Sequence, residues 1–278
     1  MNFDEYCQQK AAPPGSSTYY ALRQAPAASQ PRLTALFALR REFEETVKEV
    51  SDPAIGRTKL AWWQNELAVL AAGTPTHPVS KALAASLPDV KAEYPALQAL
   101  LSGFEMDLDQ ARYLDYPNLR RYVQAVGGTF ASLVARSART KAPADGSQAP
   151  DWSAPLGEAL LLAQFVVETG NDARHGRIYI PIDEMQRFNV TAADLINRKY
   201  SDAFTELMRF QTKRARDAVR TSLAAVPANE RRSQRTLLAQ GALASALLDE
   251  IERDGYHVLH QRIALTPIRK LWIAWRAK

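Results

Sequence analysis

Apolar side chains recur every three or four positions along most of this chain. Leu36, Leu39, Phe43, Val47 and Val50 draw one such stripe, the signature of an amphipathic helix. A second helix is predicted from about residue 55 to 70, with Leu60, Trp63 and Leu67 facing inward. Pro75 and Pro78 punctuate the loop after it. The same periodicity predicts helices over 79–86, 94–111, 117–138, 155–171, 193–223 and 229–254, and one from about 265. Strand-like alternation is nearly absent. "GRIYIP" (176–181) is the one short β-like run, and it follows a helix stop at Gly176. "TKAPADGSQAPDWSAP" (140–155) is rich in Pro, Gly, Ser and Ala. It reads as a mobile loop between helices, because the apolar pattern resumes directly after it; a boundary between two domains is the alternative. The expected architecture is all-α, one domain over residues 1–278, with no internal repeat.

Composition adds limits. Of 278 residues, 46% are apolar and 23% charged, enough for a sizeable core without disulfides. The single cysteine, Cys7, has no internal partner, which points to a reducing, cytoplasmic setting. "MNFDEYCQQK" is too acidic and polar for a signal peptide. The longest apolar run, "ALLLAQFVV" from Ala159, is about half a membrane span. A net charge of +5 suits anionic partners such as diphosphates or acidic lipid headgroups. No nucleic-acid motif is present.

Two acidic regions are candidates for chemistry. In "FALRREFEETVKEVSD" (37–52), helical spacing sets Arg40 opposite Glu44, Arg41 opposite Glu45 and Glu44 opposite Lys48. Such pairs contribute ~0.2–0.5 kcal/mol each, and on local physics alone they read as a solvated face. Lys48 stands where a third carboxylate would complete a magnesium-binding face. Glu168 and Asp172 are also four apart, so both carboxylates point one way. Two helices carrying such pairs can hold Mg²⁺ between them, since magnesium takes oxygen ligands and keeps several waters. His257 and His260 share a helical i, i+3 spacing but have no third ligand nearby, and read as solvated or packing residues. Trp62 and Trp63 read as core and wall. "RKLWIAWRAK" mixes Trp with Lys and Arg, as interfacial helices do, although such an end more often docks on its own fold.

Several segments, taken in order, resemble the squalene/phytoene synthase family of head-to-head prenyl diphosphate synthases. "GSSTYYALRQAP" (15–26) resembles its opening Ser/aromatic segment, and "LTALFALRREFEE" (33–45) its Arg-x-x-Asp-Asp helix. "KLAWWQNELAVLAAGTPTHPVSKAL" (59–83) is similar to a characteristic Trp-Trp segment and the His-Pro-Val after it. "GFEMDLDQARYLDYPNLRRYVQAVGGTFASLVA" (103–135), "NDARHGRIYIP" (171–181) and "GYHVLHQRIALTPIRKLWIAW" (255–275) extend the likeness over nearly the whole chain.

The resemblance implies an isoprenoid synthase-type helical bundle around a central apolar cavity. It also implies Mg²⁺ held by acidic motifs at the mouth, and prenyl diphosphates as substrates. On this chain the metal positions fall on Glu44, Glu45, Glu168 and Asp172. The diphosphate arginines fall on Arg41 and Arg262, and a cavity tyrosine with a catalytic role on Tyr122. The opening segment puts Tyr19 and Tyr20 against substrate. The chain also departs from the pattern. The last aspartate of the first motif is Lys48, the Asn-x-x-Arg before the second falls on Gln164 and Val167, and a later tyrosine falls on Ala244. Glu for Asp keeps the charge, whereas Lys48 reverses it and Val167 removes a phosphate clamp. Two functions stay open. One is a degenerate member that binds prenyl or other lipid chains, or a protein partner, without condensation. The family has such a precedent in a mitochondrial complex I assembly factor. The other is an active magnesium-dependent prenyltransferase. Peripheral membrane contact is compatible with both.

Overall fold

The computed structural model describes residues 2–50, 52–139 and 150–277. Most of the loop expected over 140–155 lies outside the described residues, and its last part is helix. Among the described residues no strand forms. "GRIYIP" contributes only an isolated parallel bridge, Ile178 to Arg112.

The chain opens with α1 (Phe3–Ala11) and α2 (Ser17–Leu22), which the apolar pattern does not announce. A capping box announces α1: Asn2 accepts from the backbone N–H of Asp4, and Glu5 accepts from that of Asn2. Next come α3 (Gln30–Lys48), α4 (Pro53–Ala72), α5 (Pro78–Ser86) and α6 (Val90–Asp109). Their starts follow local chemistry. Asp52 accepts from the Ala54 N–H at 2.8 Å ahead of Pro53, and Asp89 from that of Ala92 at 3.0 Å. Gly73, with φ of 89°, ends α4 in a left-handed turn.

The region read as one helix over 117–138 is two, α7 (Tyr116–Val123) and α8 (Thr129–Ala138). A π-helical turn over Gln124–Gly128 joins them. α9 (Ser153–Arg174) ends before Gly176, whose φ is 76°. The helix expected over 193–223 is interrupted. After α10 (Ile182–Arg187) come a short α11 (Ala192–Ile196) and the long α12 (Asp202–Ala224). Arg198 breaks the run with φ of 55°, and Ser201 restarts it by accepting from the Phe204 N–H at 3.1 Å. α13 (Arg235–Arg253) and α14 (Pro267–Arg276) complete the set. His257 and His260 fall in the turn after α13, not on a helix, and pack on the ring of Tyr200.

α3 and α9 form the centre. α9 packs against α12, α13, α8 and the π turn, while α1 packs on α3 and α5, and α4 on α6. Burial of α3 exceeds its stripe: every residue from Arg32 to Leu39 is buried. One apolar core runs from Cys7 to Leu259, and a smaller cluster lies between α2, α13 and α14. The guanidinium of buried Arg32 donates to the carbonyls of Ala28 at 2.7 Å and Arg139 at 3.1 Å, and to that of Ser137. It thereby ties α3 to the otherwise unsatisfied carbonyl end of α8.

Candidate functional site

Between α3, α8, α9 and α13 lies a cavity of about 800 Å³, within the range of small-molecule sites. Phe37, Phe130, Ala131, Leu161, Leu237 and Leu243 form its apolar wall, with the Phe37 and Phe130 rings edge to face at 4.8 Å. The wall closes where α9 crosses the π turn. A Cβ on Gly157 would lie 2.0 Å from the Gly127 carbonyl oxygen, so these helices meet through bare backbone.

Charge gathers at the rest of the lining. Lys10 comes from α1, Arg40, Arg41, Glu44 and Glu45 from α3, Glu168 from α9, Arg262 from the segment before α14, and Lys270 from α14. Among the described residues five cations thus face three carboxylates, an excess that favours an anionic ligand. Ser16, Ser17 and Thr18 add hydroxyls. Arg40 donates to Gln164 Oε1 at 2.9 Å, stacks over Phe130 at 5.1 Å, and keeps a buried Nε with no hydrogen-bond partner among the described residues. Burial and the neighbouring charge of Arg262 lower the pKa of Lys270, which donates to the Gly15 carbonyl at 2.8 Å.

The carboxylates are already matched. Glu45 accepts from Arg41 Nε at 2.7 Å and pairs with Lys10. Glu168 pairs with Arg262 at 2.8 Å. Glu44 accepts from Gln164 Nε2 at 2.9 Å and stands 3.4 Å from Arg41. Behind it, Lys48 Nζ lies 3.2 Å from Glu44 Oε1 and 3.1 Å from Asp172 Oδ1, bridging α3 to α9. The expected solvated face is therefore partly core, since Glu44 is buried. Arg40, expected opposite Glu44, hydrogen-bonds Gln164 instead.

The two carboxylates that share Lys48 titrate apart. Burial opposes ionisation of Glu44, yet Lys48, Arg40 and Arg41 hold its pKa down, at about 2. Burial pushes Asp172 up to about 6; only Lys48 opposes it, while Glu168 and Glu44 add repulsion. Burial also works against the Lys48 charge, but the two carboxylates outweigh it and raise its pKa.

Tyr122 sits beyond this bridge. With Arg40, Glu44, Lys48, Asp107 and Tyr179 it lines a separate void of about 10 Å³, the size of one water. Its ring stacks on Tyr179 at 5.7 Å, and burial followed by the Asp107 charge raises its pKa well above 10.0, so it remains a neutral phenol. Tyr179 donates to Asp107 Oδ2 at 2.6 Å, and Arg177 donates to the carbonyls of Asp107 at 2.6 Å and Val47 at 2.8 Å. This knot fixes the ends of α3 and α6 against the "GRIYIP" segment. Tyr19 and Tyr20 pack edge to face on each other, and neither lines the large cavity.

The sequence profile of the squalene/phytoene synthase family matches residues 11–269. This chain belongs to the squalene/phytoene synthase family. It is 30% identical to a phytoene synthase of Arthrospira platensis, over 96% of this chain and 89% of that one. It is 28% identical to a 15-cis-phytoene synthase of Synechococcus elongatus, with the same two coverages. Among solved structures, a ligand-bound dehydrosqualene synthase superposes with a TM-score of 0.81 at 20% identity, covering 99% of this chain and 95% of that one. A squalene synthase from Alicyclobacillus acidocaldarius gives 0.73 at 21% identity, covering 91% and 94%. At these identities the structures establish the shared all-α fold.

Members of this family act on prenyl diphosphates, and the family chemistry implies Mg²⁺. The residues here do not fit that ion as they stand. Glu44, Glu45, Glu168 and Asp172 are each in an ion pair with a protein cation. Among the described residues no group of three His, Cys, Asp or Glu side chains is arranged to hold a metal. Among the described residues Asp172 Oδ2 is buried without a partner, but the Lys48 ammonium on the other oxygen of the same carboxylate repels a divalent cation there.

Arg41, Glu44, Glu45, Glu168 and Arg262 reach the cavity lining together, whereas Asp172, Tyr122, Tyr19 and Tyr20 do not. Trp63 is core, while Trp62 is exposed against His77. Sequence reasoning missed Lys10, Lys270 and the Ser16–Thr18 hydroxyls. The capping box at Asn2 was the available signal for α1; nothing local placed Lys270 at the cavity.

Proposed function

We propose that this family member binds a prenyl or related lipid chain in its apolar cavity, with the anionic head among the basic groups of the lining. On this reading it does not carry out magnesium-dependent condensation. The observation that carries it is the Lys48 ammonium between Glu44 and Asp172. A metal entering there must displace an ammonium already paired with two buried carboxylates, in surroundings where such pairing is stronger than in bulk water. Arg40, Arg41, Lys10, Arg262 and Lys270 supply fixed positive charge in its place. They can hold a diphosphate or similar head, but they cannot bridge its oxygens as a divalent ion does. Phe37, Phe130, Leu161 and Leu237 shelter the chain, at ~0.8 kcal/mol for each buried methylene.

The test joins binding to turnover. Farnesyl and geranylgeranyl diphosphate are titrated calorimetrically with magnesium and with chelator, and pyrophosphate release is followed with product analysis. The expected result is binding that survives chelation, with no release above background. Magnesium-dependent release with a hydrocarbon product would establish the competing reading, an active head-to-head synthase; the full-length match to phytoene synthases favours that reading. Absence of binding by either compound would reject the lipid cavity and leave a protein-partner role.

A further inference from the structure

α14 shows its apolar side to solvent. Ile268 is 81% exposed, Leu271 51%, Trp272 55% and Trp275 61%. Their spacing of i, i+3, i+4 and i+7 puts all four on one face. The opposite face holds buried Ala274 with Ile273 and Ala277, which pack on the cluster of Ala21, Ala239 and Leu243. The fold therefore packs Ile273, Ala274 and Ala277 inward and leaves two aliphatic side chains and two tryptophans outward. The helix has no acidic residue of its own; Arg269 is ion-paired with Glu250 of α13, Lys270 turns inward, and exposed Arg276 stacks on Trp272 at 4.6 Å.

We propose that this face docks the protein on a lipid bilayer that contains anionic headgroups. Tryptophans beside basic residues on one short helix suit the boundary between headgroups and acyl chains. Exposed Arg276 and the net +5 of the chain complement an acidic surface. A second copy of the chain is a poorer occupant. Four side chains on a ten-residue helix are far fewer than the ~20–30 residues a side of a stable protein interface. The position also gives docking a purpose. Lys270, on the inward side of the same helix, lines the cavity, as do Ile263, Ala264 and Leu265 just before it. A lipid chain leaving the bilayer has about one helix diameter, ~10 Å, to cross before it meets the cavity lining.

The test uses the full chain without any prenyl compound, so its outcome is independent of what the cavity holds. Cosedimentation is measured with phosphatidylcholine vesicles, with vesicles containing phosphatidylglycerol, and with the latter at high salt. Tryptophan emission is followed with brominated lipids as quenchers. The expected result is binding to the anionic vesicles, weakened by salt, with quenching. The double variant Ile268→Ser/Trp272→Ser should lose about tenfold or more in partitioning while its circular dichroism is unchanged. No binding to anionic vesicles at low salt, or equal binding by the variant, overturns the proposal. A concentration-dependent dimer that the variant abolishes, without vesicle binding, also overturns it and assigns the face to a second copy.

Discussion

Lys48 joins Glu44, on its own helix, to Asp172, 124 residues further along the chain, and the partners differ in what they ask of it. Glu44 is held ionised by three cations, while Asp172 relies on Lys48 alone against burial. Lys48→Leu would leave both facing each other in the interior. Breaking a buried pair from one side costs about 3–5 kcal/mol, so a large loss of stability is expected at neutral pH. The pH dependence has a definite sign. Asp172 is raised from 3.8 to about 6, so between those values the folded state holds more protons than the unfolded chain. Stability tied to this group therefore rises as pH falls through 6. Without Lys48 its pKa climbs further, so the defect of Lys48→Leu should shrink on acidification from pH 7 towards 5. Glu44 runs the other way in the natural chain: its contribution is present above 4.5 and is lost as pH falls towards 2. Urea denaturation of both proteins across this range checks the prediction; a defect that does not vary with pH would contradict it. The helical spacing of α3 made the Glu44–Lys48 pair legible. Asp172 was not, because its approach depends on how α9 packs against α3, which no local spacing encodes.

Among the elements, the long helices were legible from apolar period alone, because each hides one face from water. The interruptions were not. The π turn exists where Gly127 must let α9 pass, and the break before α12 rests on one left-handed residue and one serine cap. α1 and α2 were missed because short helices carry too few turns to show a period. Gly157→Ala tests the closest of these crossings. Its methyl would meet the Gly127 oxygen at 2.0 Å and the Ala131 Cβ at 2.5 Å, and neither neighbour is a flexible side-chain end. α9 must shift, and overpacking of this kind costs about 1–3 kcal/mol. At about 2–4 °C per kcal/mol for a chain of this size, calorimetry should show Tm lowered by several degrees. An unchanged Tm would mean that the crossing is looser than its backbone contact implies.

At the scale of the whole molecule, α3, α8, α9 and α13 enclose one apolar volume, while α1, the start of α2 at Ser16–Thr18 and the segment before α14 bring polar groups to it. The depth of that volume decides which chain it accepts, and depth is set by small residues, whose inward direction the sequence alone does not give. Ala244 is one. It lies on α13 beside Leu243 and Leu247, all three lining the cavity, where the family resemblance expects a tyrosine. Ala244→Phe adds a ring to a volume of about 800 Å³, at a half-buried position that packs on the edge of the core. A chain that runs along α13 must then withdraw its far end. Excluding two methylenes costs ~1.6 kcal/mol at ~0.8 kcal/mol each, or about tenfold in affinity. Geranylgeranyl diphosphate should weaken by about that factor in calorimetric titration, and a shorter geranyl compound by much less, with the melting temperature of the free protein unchanged. Equal weakening of both would place the ring beside the head rather than the tail, and no weakening of either would mean that the chain lies along α8 and α9 instead.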